Sequence, residues 1–267
     1  MEPKPAQWDR QFAERFSHEA VVANYRFRPP YPAELFELLA ESAHGGAVLD
    51  AGTGPGDIAR PLAALVDRVD AVDLAPAMIQ EGRSREGGDR PNLRWIVGGV
   101  EEAELSPPYQ LIVAGDAVHW FDWTVVMPRF AEVLAPGGLF AVVTRDWFAD
   151  PAIWDTLRPI YQQFGTNRPF FRNDPVEELE RRGLFSRVRE STTAEGGWLA
   201  TIEEVLGCHH SQNGFAPQTM TAESIAAFDG EVTAAFARFA EDGAVELEGD
   251  RYRLKVRAHV VWGEIAR

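Results

Sequence analysis

Three observations predict a doubly wound α/β fold. A short apolar run ends in an acid and a glycine turn at Val48-Leu-Asp-Ala-Gly-Thr-Gly-Pro-Gly56. Strand-like and helix-like segments then alternate to about residue 146, the pattern of a mostly parallel sheet. At the far end, residues 253–262 alternate strictly, with Leu254, Val256, Ala258, Val260 and Trp262 on one side.

Each element has a local reason. Arg28-Pro-Pro30 breaks whatever helix precedes it, and Pro32 opens the next one, with Leu35, Leu38 and Leu39 on a single face. Residues 47–51 form the first strand. Ile58, Leu62 and Leu65 fall at helical spacing behind the glycines. Arg68–Asp73 is the second strand, and Pro76 starts the helix after it. Leu93–Gly98 and Tyr109–Gly115 are strands three and four. Asp122 is placed to cap a helix whose face carries Val126, Phe130, Val133 and Leu134, and Pro136-Gly-Gly138 ends it. Leu139–Thr144 is strand five. Beyond it the character changes: residues 147–198 are rich in aromatics, and residues 222–240 make an amphipathic helix with Ile225, Phe228, Val232, Phe236 and Phe239 on its stripe. The alternating run at 253–262 is expected antiparallel, at the end of the sheet.

Composition narrows the function. The chain has 267 residues and a net charge of −15, so a nucleic-acid backbone is an unsuitable partner. A single cysteine, Cys208, excludes an intrachain disulfide, and its neighbours His209 and His210 have no second ligand pair at metal-binding spacing, so no metal is expected. No apolar run has membrane length, and a cytoplasmic location without membrane partners is the expectation.

The glycine turn selects the ligand. Gly52, Gly54 and Gly56 make G-x-G-x-G, where a dinucleotide site would have G-x-G-x-x-G at a helix N-terminus. Asp57 holds the position of the third fingerprint glycine and is expected to repel a pyrophosphate, with Asp50 adding to the negative charge. A cationic nucleoside suits such a turn, and S-adenosylmethionine carries both a sulfonium and an ammonium. Asp73, ending strand two, can accept from both ribose hydroxyls.

From Val48–Gly56 onward the chain resembles the class I S-adenosylmethionine-dependent methyltransferases. Asp73 resembles their ribose acid. Ile96-Val-Gly-Gly-Val-Glu101 is similar to their adenine loop, and Leu111–Asp122 and Leu134–Val143 to their fourth and fifth strands. The resemblance implies a Rossmann-like, seven-stranded, mostly parallel sheet with an antiparallel C-terminal strand and a helical cap insertion. Residues 1–146 would hold N-terminal helices and the cofactor core. Residues 147–250 would form the cap, with one core strand near 185–193, and residues 251–267 the last strand. It also implies a cofactor site made of Asp50, Gly52, Thr53, Gly54, Asp73, Leu74, Met78, Gly99, Val100, Glu101 and Asp116, with Arg28 on the methionine carboxylate. Relatives often carry Asp where this chain has Gly99, which leaves Glu101 or the backbone to meet the adenine amino group.

The implied partner is a small-molecule methyl acceptor. His119-Trp120 resembles the loop of methyltransferases for small carboxylic acids, the trans-aconitate type included. His119 is the candidate base or acceptor-orienting donor, and Trp120 offers an indole N–H. Tyr25, Tyr31, Trp147 and Phe170 are candidate acceptor contacts. Oxygen methylation is the first expectation, with nitrogen or carbon as the acceptor atom next. A nucleotide-dependent oxidoreductase and a non-catalytic S-adenosylmethionine-binding protein are the competing classes.

Overall fold

The computed structural model describes residues 4–5, 8, 16, 18–166 and 174–266. Phe170 lies outside them. In chain order come α1 (Glu19–Tyr25), α2 (Ala33–Ser42), β1 (Ala47–Ala51), α3 (Ala59–Leu62), β2 (Arg68–Asp73), α4 (Pro76–Ser84), β3 (Leu93–Val97) and β4 (Tyr109–Gly115). A 3-10 turn at Val118–Trp120 leads into α5 (Trp123–Val133) and β5 (Leu134–Asp146). Then follow α6 (Pro151–Phe164), α7 (Pro175–Arg181), β6 (Phe185–Thr192), β7 (Gly196–Ala200), α8 (Ile202–His210), α9 (Ala222–Glu241), β8 (Glu246–Glu248) and β9 (Arg251–Ile265).

The main sheet runs β3-β2-β1-β4-β5-β9-β6, seven strands as expected. The first five are mutually parallel, and β9 runs antiparallel to both β5 and β6. Strand order reverses between β1 and β4, so a crevice opens where their carboxyl ends diverge. Alternate residues of β1 and β4 supply two cores: Val48 and Leu111 pack with Leu35 and Leu62, whereas Leu49 and Ile112 pack with Phe130 and Phe140.

Several expectations are corrected. The described residues hold nine strands, because β7 and β8 pair with the first half of β9 and form a small second sheet. β9 is also interior, not terminal: at 15 residues it is long enough to serve the main sheet with its second half, and β6 takes the edge. The helix behind the glycine turn closes after Leu62, since Leu65 N–H bonds to the Leu62 carbonyl three residues back, and Leu65 ends half exposed. β5 starts at Leu134 rather than Leu139; its pairing jumps from Tyr109↔Leu134 to Leu111↔Leu139, and the surplus residues bulge through Pro136-Gly-Gly138.

Residues C-terminal to β5 build a separate cluster over the carboxyl ends of the strands. Phe148, Leu157, Trp198, Val205, Phe228 and Phe236 are buried there, drawn from α6, α8, α9, β7 and the segment between β5 and α6. In the α9 stripe Phe228, Val232, Phe236 and Phe239 are buried, whereas Ile225, near the start of the helix, is only half-buried.

Candidate active site

A cavity of about 470 Å³ lies at the switch point, a volume typical of small-molecule sites. One end is made by the glycine turn. The N–H groups of Gly52 and Thr53 both donate to the Val72 carbonyl at 2.9 Å, which ties the turn to β2. Gly54 N–H donates to Asp73 Oδ2 at 2.7 Å, and Ala75 N–H to Asp73 Oδ1 at 2.8 Å. Asp73 is thereby held in place with a lone pair left on each oxygen. Burial pushes its carboxyl above the usual range, and the two backbone N–H groups pull it back.

The glycines do different work. Gly54 sits at φ +56°, and a Cβ there would meet nothing closer than Tyr25 at 3.6 Å, so its face is open to the cavity. Gly56 is also left-handed, but a Cβ there would stand 2.4 Å from the Trp95 ring. Its role is packing, not ligand approach.

Leu74, Met78, Gly99, Val100 and Glu101 line the same end of the cavity. Glu101 Oε1 accepts from Asp122 N–H at 3.0 Å, which links the loop after β3 to the start of α5. Asp116, directly after β4, takes a left-handed φ of +50° and accepts from Arg145 N–H at 3.3 Å. Its Oδ2 is buried and has no hydrogen-bond partner among the described residues. Burial raises the Asp116 carboxyl, while Arg145 and Arg28 act against the rise.

A smaller cavity of about 20 Å³ sits beneath the turn, walled by Asp50, Thr53, Tyr31, Asp57, Asp116 and Arg145. Asp50 accepts from the Thr53 hydroxyl at 2.6 Å. Burial pushes its carboxyl up to about 7 despite that bond. Tyr31 lines this lower cavity and not the larger one; its ring lies 3.7 Å from the Arg145 guanidinium. Asp57 does not present a bare charge, which corrects the sequence argument. It is paired with Arg60 at 3.2 Å, Arg85 at 3.3 Å and Arg145 at 3.5 Å. The acids left facing the turn are Asp50, Asp73 and Asp116.

Arg28 and Tyr25 line both cavities. The Arg28 guanidinium lies on the Tyr25 ring at 3.7 Å and donates to the Tyr25 hydroxyl, the Ser211 hydroxyl and the Ser211 carbonyl. The Trp147 ring also stands 5.0 Å from it.

His119 and Trp120 reach the larger cavity from the 3-10 turn, their rings 4.4 Å apart. The Lys4 ammonium donates to the carbonyls of His119 and Phe121 at 3.1 and 2.7 Å and so pins the turn. Burial, aided by Lys4, pulls the His119 imidazole down to about 3. It is neutral near pH 7 and a poor proton acceptor.

The opposite wall comes from the cap, of which the sequence names Trp147 among the described residues as an acceptor contact. Trp154 and Tyr161 of α6 reach it, with Gln212–Phe215 from the loop after α8. Arg145 was missed. Its position at the carboxyl end of β5 was a readable signal, whereas nothing periodic marks residues 212–215. The sequence expectation about Cys208, His209 and His210 concerned metal. Among the described residues no group of three His, Cys, Asp or Glu side chains is placed to hold a metal ion. No helix among them is long and apolar enough to cross a membrane.

Comparison with known proteins gives the family. Residues 48–138 match a methyltransferase domain family. A malonyl-[acyl-carrier protein] O-methyltransferase of Enterobacter lignolyticus is 30% identical over 218 residues, 76% of this chain and 85% of that one. The chain belongs to the class I S-adenosylmethionine-dependent methyltransferases. A methyltransferase of Claviceps purpurea is 28% identical over 56% of this chain and 50% of its own length, so the chain spans about half of that relative. The S-adenosylhomocysteine complex of a methyltransferase from Thiobacillus denitrificans shares the fold, with a TM-score of 0.51 at 12% identity over 92% of this chain and 97% of that one.

The donor set of this methyltransferase fits its cofactor. Three acids surround the turn, Asp50 buried and Asp73 and Asp116 half-buried, and the unpartnered Asp116 oxygen suits a ligand bearing a positive centre. The open face of Gly54 beside Asp73 suits a ribose. Buried Met78 and Val100 offer an apolar slot for a base.

Proposed function

We propose that this chain transfers a methyl group from S-adenosylmethionine to a small molecule, with oxygen as the acceptor atom. The observation carrying this reading is a single cavity that joins the Gly54–Asp73 end to a wall of cap side chains. The cofactor, when bound, supplies a methyl carbon already activated by its sulfonium. What remains for the protein is alignment and exclusion of water.

In this reading Asp73 accepts from the ribose hydroxyls, and Leu74, Met78 and Val100 flank the adenine. Gly99 has no side chain to offer the adenine amino group, which leaves Glu101 or the backbone. Asp116 meets the ammonium with its free oxygen. Asp50 and Thr53 shape the turn from beneath. Arg28, cross-braced by Ser211 and Tyr25, directs its remaining N–H groups at the methionine carboxylate. Gly52 packs under this end, where a Cβ would stand 2.6 Å from that of Ala117. His119 and Trp120 orient the acceptor by hydrogen bonding, and a neutral His119 suits orientation better than proton removal. Tyr25 and Trp147 close the acceptor side. Tyr31 supports Arg145 from the lower cavity. The O-methyltransferase named among the relatives supports oxygen as the acceptor atom.

The test uses methyl-labelled S-adenosylmethionine with a panel of phenols, alcohols and carboxylic acids. Label should pass to at least one oxygen acceptor, and Asp73→Ala should weaken S-adenosylhomocysteine binding by about 1–3 kcal/mol through loss of a charged hydrogen bond. Transfer only to nitrogen or carbon would overturn the choice of oxygen, and an unchanged affinity in Asp73→Ala would overturn the ribose assignment.

A further inference from the structure

The cap end of the cavity has a chemistry of its own. Its described wall is formed by Trp147, Phe148, Trp154, Tyr161 and Phe215, with Gln212 and Asn213 as polar interruptions. Five rings line one half of a single cavity.

These rings are braced from behind. His209 Nδ1 stands 2.7 Å from the Val205 carbonyl, which can only accept, so Nδ1 carries the hydrogen and Nε2 of the neutral ring is bare. The Tyr161 hydroxyl, 2.7 Å from Nε2, therefore donates to it. His209 in turn stacks on Phe148 at 5.7 Å and 22°. Phe215 lies 5.2 Å from Tyr161 and stacks on Phe228 at 4.8 Å and 12°. Trp154 meets Tyr161 edge-on at 5.7 Å, and its Nε1 donates to Asp146 at 3.3 Å. Wall positions fixed this way give up little freedom when a ligand binds.

Charge points the same way. Among the described residues the cations on this cavity are Lys-free and number two, Arg28 and Arg145. Arg28 holds Ser211 and Tyr25, while Arg145 holds the Pro29 carbonyl and Asp57. The carboxylates Asp73, Asp116 and Glu101 line the same cavity. Among the described residues an acceptor with several negative charges would find both cations already hydrogen-bonded within the chain.

Building on the methyl-transfer reading above, we infer that the acceptor is a flat aromatic molecule, a phenol or hydroxylated heteroaromatic, stacked among Trp147, Trp154, Tyr161 and Phe215. A wall of rings favours a flat ring over an acyclic polycarboxylic acid, so the likeness of His119-Trp120 to the trans-aconitate type is not carried over to the substrate. Aromatic faces meet in offset or edge-on pairs, and this wall offers rings in several orientations around one space.

The test titrates 2-naphthol into the full chain saturated with S-adenosylhomocysteine, reading tryptophan emission and binding heat, with citrate as the comparison. We expect 2-naphthol to quench emission and to bind at least tenfold more tightly than citrate. Trp154→Ala and the milder Phe215→Leu should each weaken 2-naphthol at least fivefold and leave S-adenosylhomocysteine affinity unchanged. Normal S-adenosylhomocysteine binding with no 2-naphthol binding, with citrate the tighter ligand, or with 2-naphthol affinity unmoved in both variants overturns the inference alone. Absence of S-adenosylhomocysteine binding overturns the cofactor reading and this inference with it.

Discussion

Asp50 shows how much a single buried side chain is asked to do beneath the glycine turn. Its carboxyl, pushed to about 7 by burial, binds its proton more tightly in the folded chain than in the unfolded one, where 3.8 is the ordinary value. The stability it contributes is therefore present below pH 3.8 and lost as pH rises through about 7. Asp50→Asn should leave the melting temperature unchanged at pH 4 and raise it at pH 8, as read by calorimetry at the two pH values. A variant less stable than the parent at pH 8 would show that the ionised form is held favourably. His209 has the opposite sign. Burial pulls it down to about 4 from 6.5, so its contribution is present above pH 6.5 and lost as pH falls through about 4. At this scale the motif acids were legible by position, but their ionisation was not. Whether Asp57 faces a ligand or three arginines depends on Arg60, Arg85 and Arg145, the last of which is 88 residues away.

Among the elements, α5 is the one whose start matters most to the site, because it follows the His119-Trp120 turn directly. Asp122 Oδ1 accepts from Thr124 N–H at 2.9 Å and from the Thr124 hydroxyl at 2.6 Å, the N-cap its sequence position predicts. Asp122→Ala should destabilise the chain by about 1 kcal/mol, read as a lower urea midpoint with an unchanged slope. An unmoved midpoint would mean that the cap is redundant with the Glu101 bond to the Asp122 N–H. Helix starts and the strands β1, β2 and β4 were legible because caps, prolines and apolar runs act over a few residues. The ends of α3, β5 and β9 were not. Leu65 is at helical spacing yet sits outside the helix, and the residues after Leu134 join a strand because β4 is there to pair with them.

For the molecule as a whole, the cofactor site joins elements contributed from across the chain, and ligand binding should stabilise all of them together. S-adenosylhomocysteine at a hundred times its dissociation constant adds about 2.7 kcal/mol. A thermal scan should then show a midpoint roughly 5–10 °C higher, and NADH should produce no shift. A rise with NADH and none with S-adenosylhomocysteine would contradict the assignment of the glycine turn. The charge of −15 sets no fold, and its effect belongs to solubility and to the choice of partners.

By itself the sequence determined the order of strands and helices from α2 to β5, the glycine turn with Asp73 after the next strand, and hence the nucleoside end of the cavity. Each of those features is set by neighbours close in the chain, where spacing translates directly into geometry. Only the tertiary structure decided the rest: that β9 runs inside the sheet, that Asp57 is neutralised, that Tyr31 props Arg145 from below, and that Tyr161, Trp154 and Phe215 wall the acceptor end. The physical reason is packing. A buried aromatic in the cap reads identically in sequence whether it fills the interior or lines a cavity, and the choice is made by which neighbours arrive from distant parts of the chain.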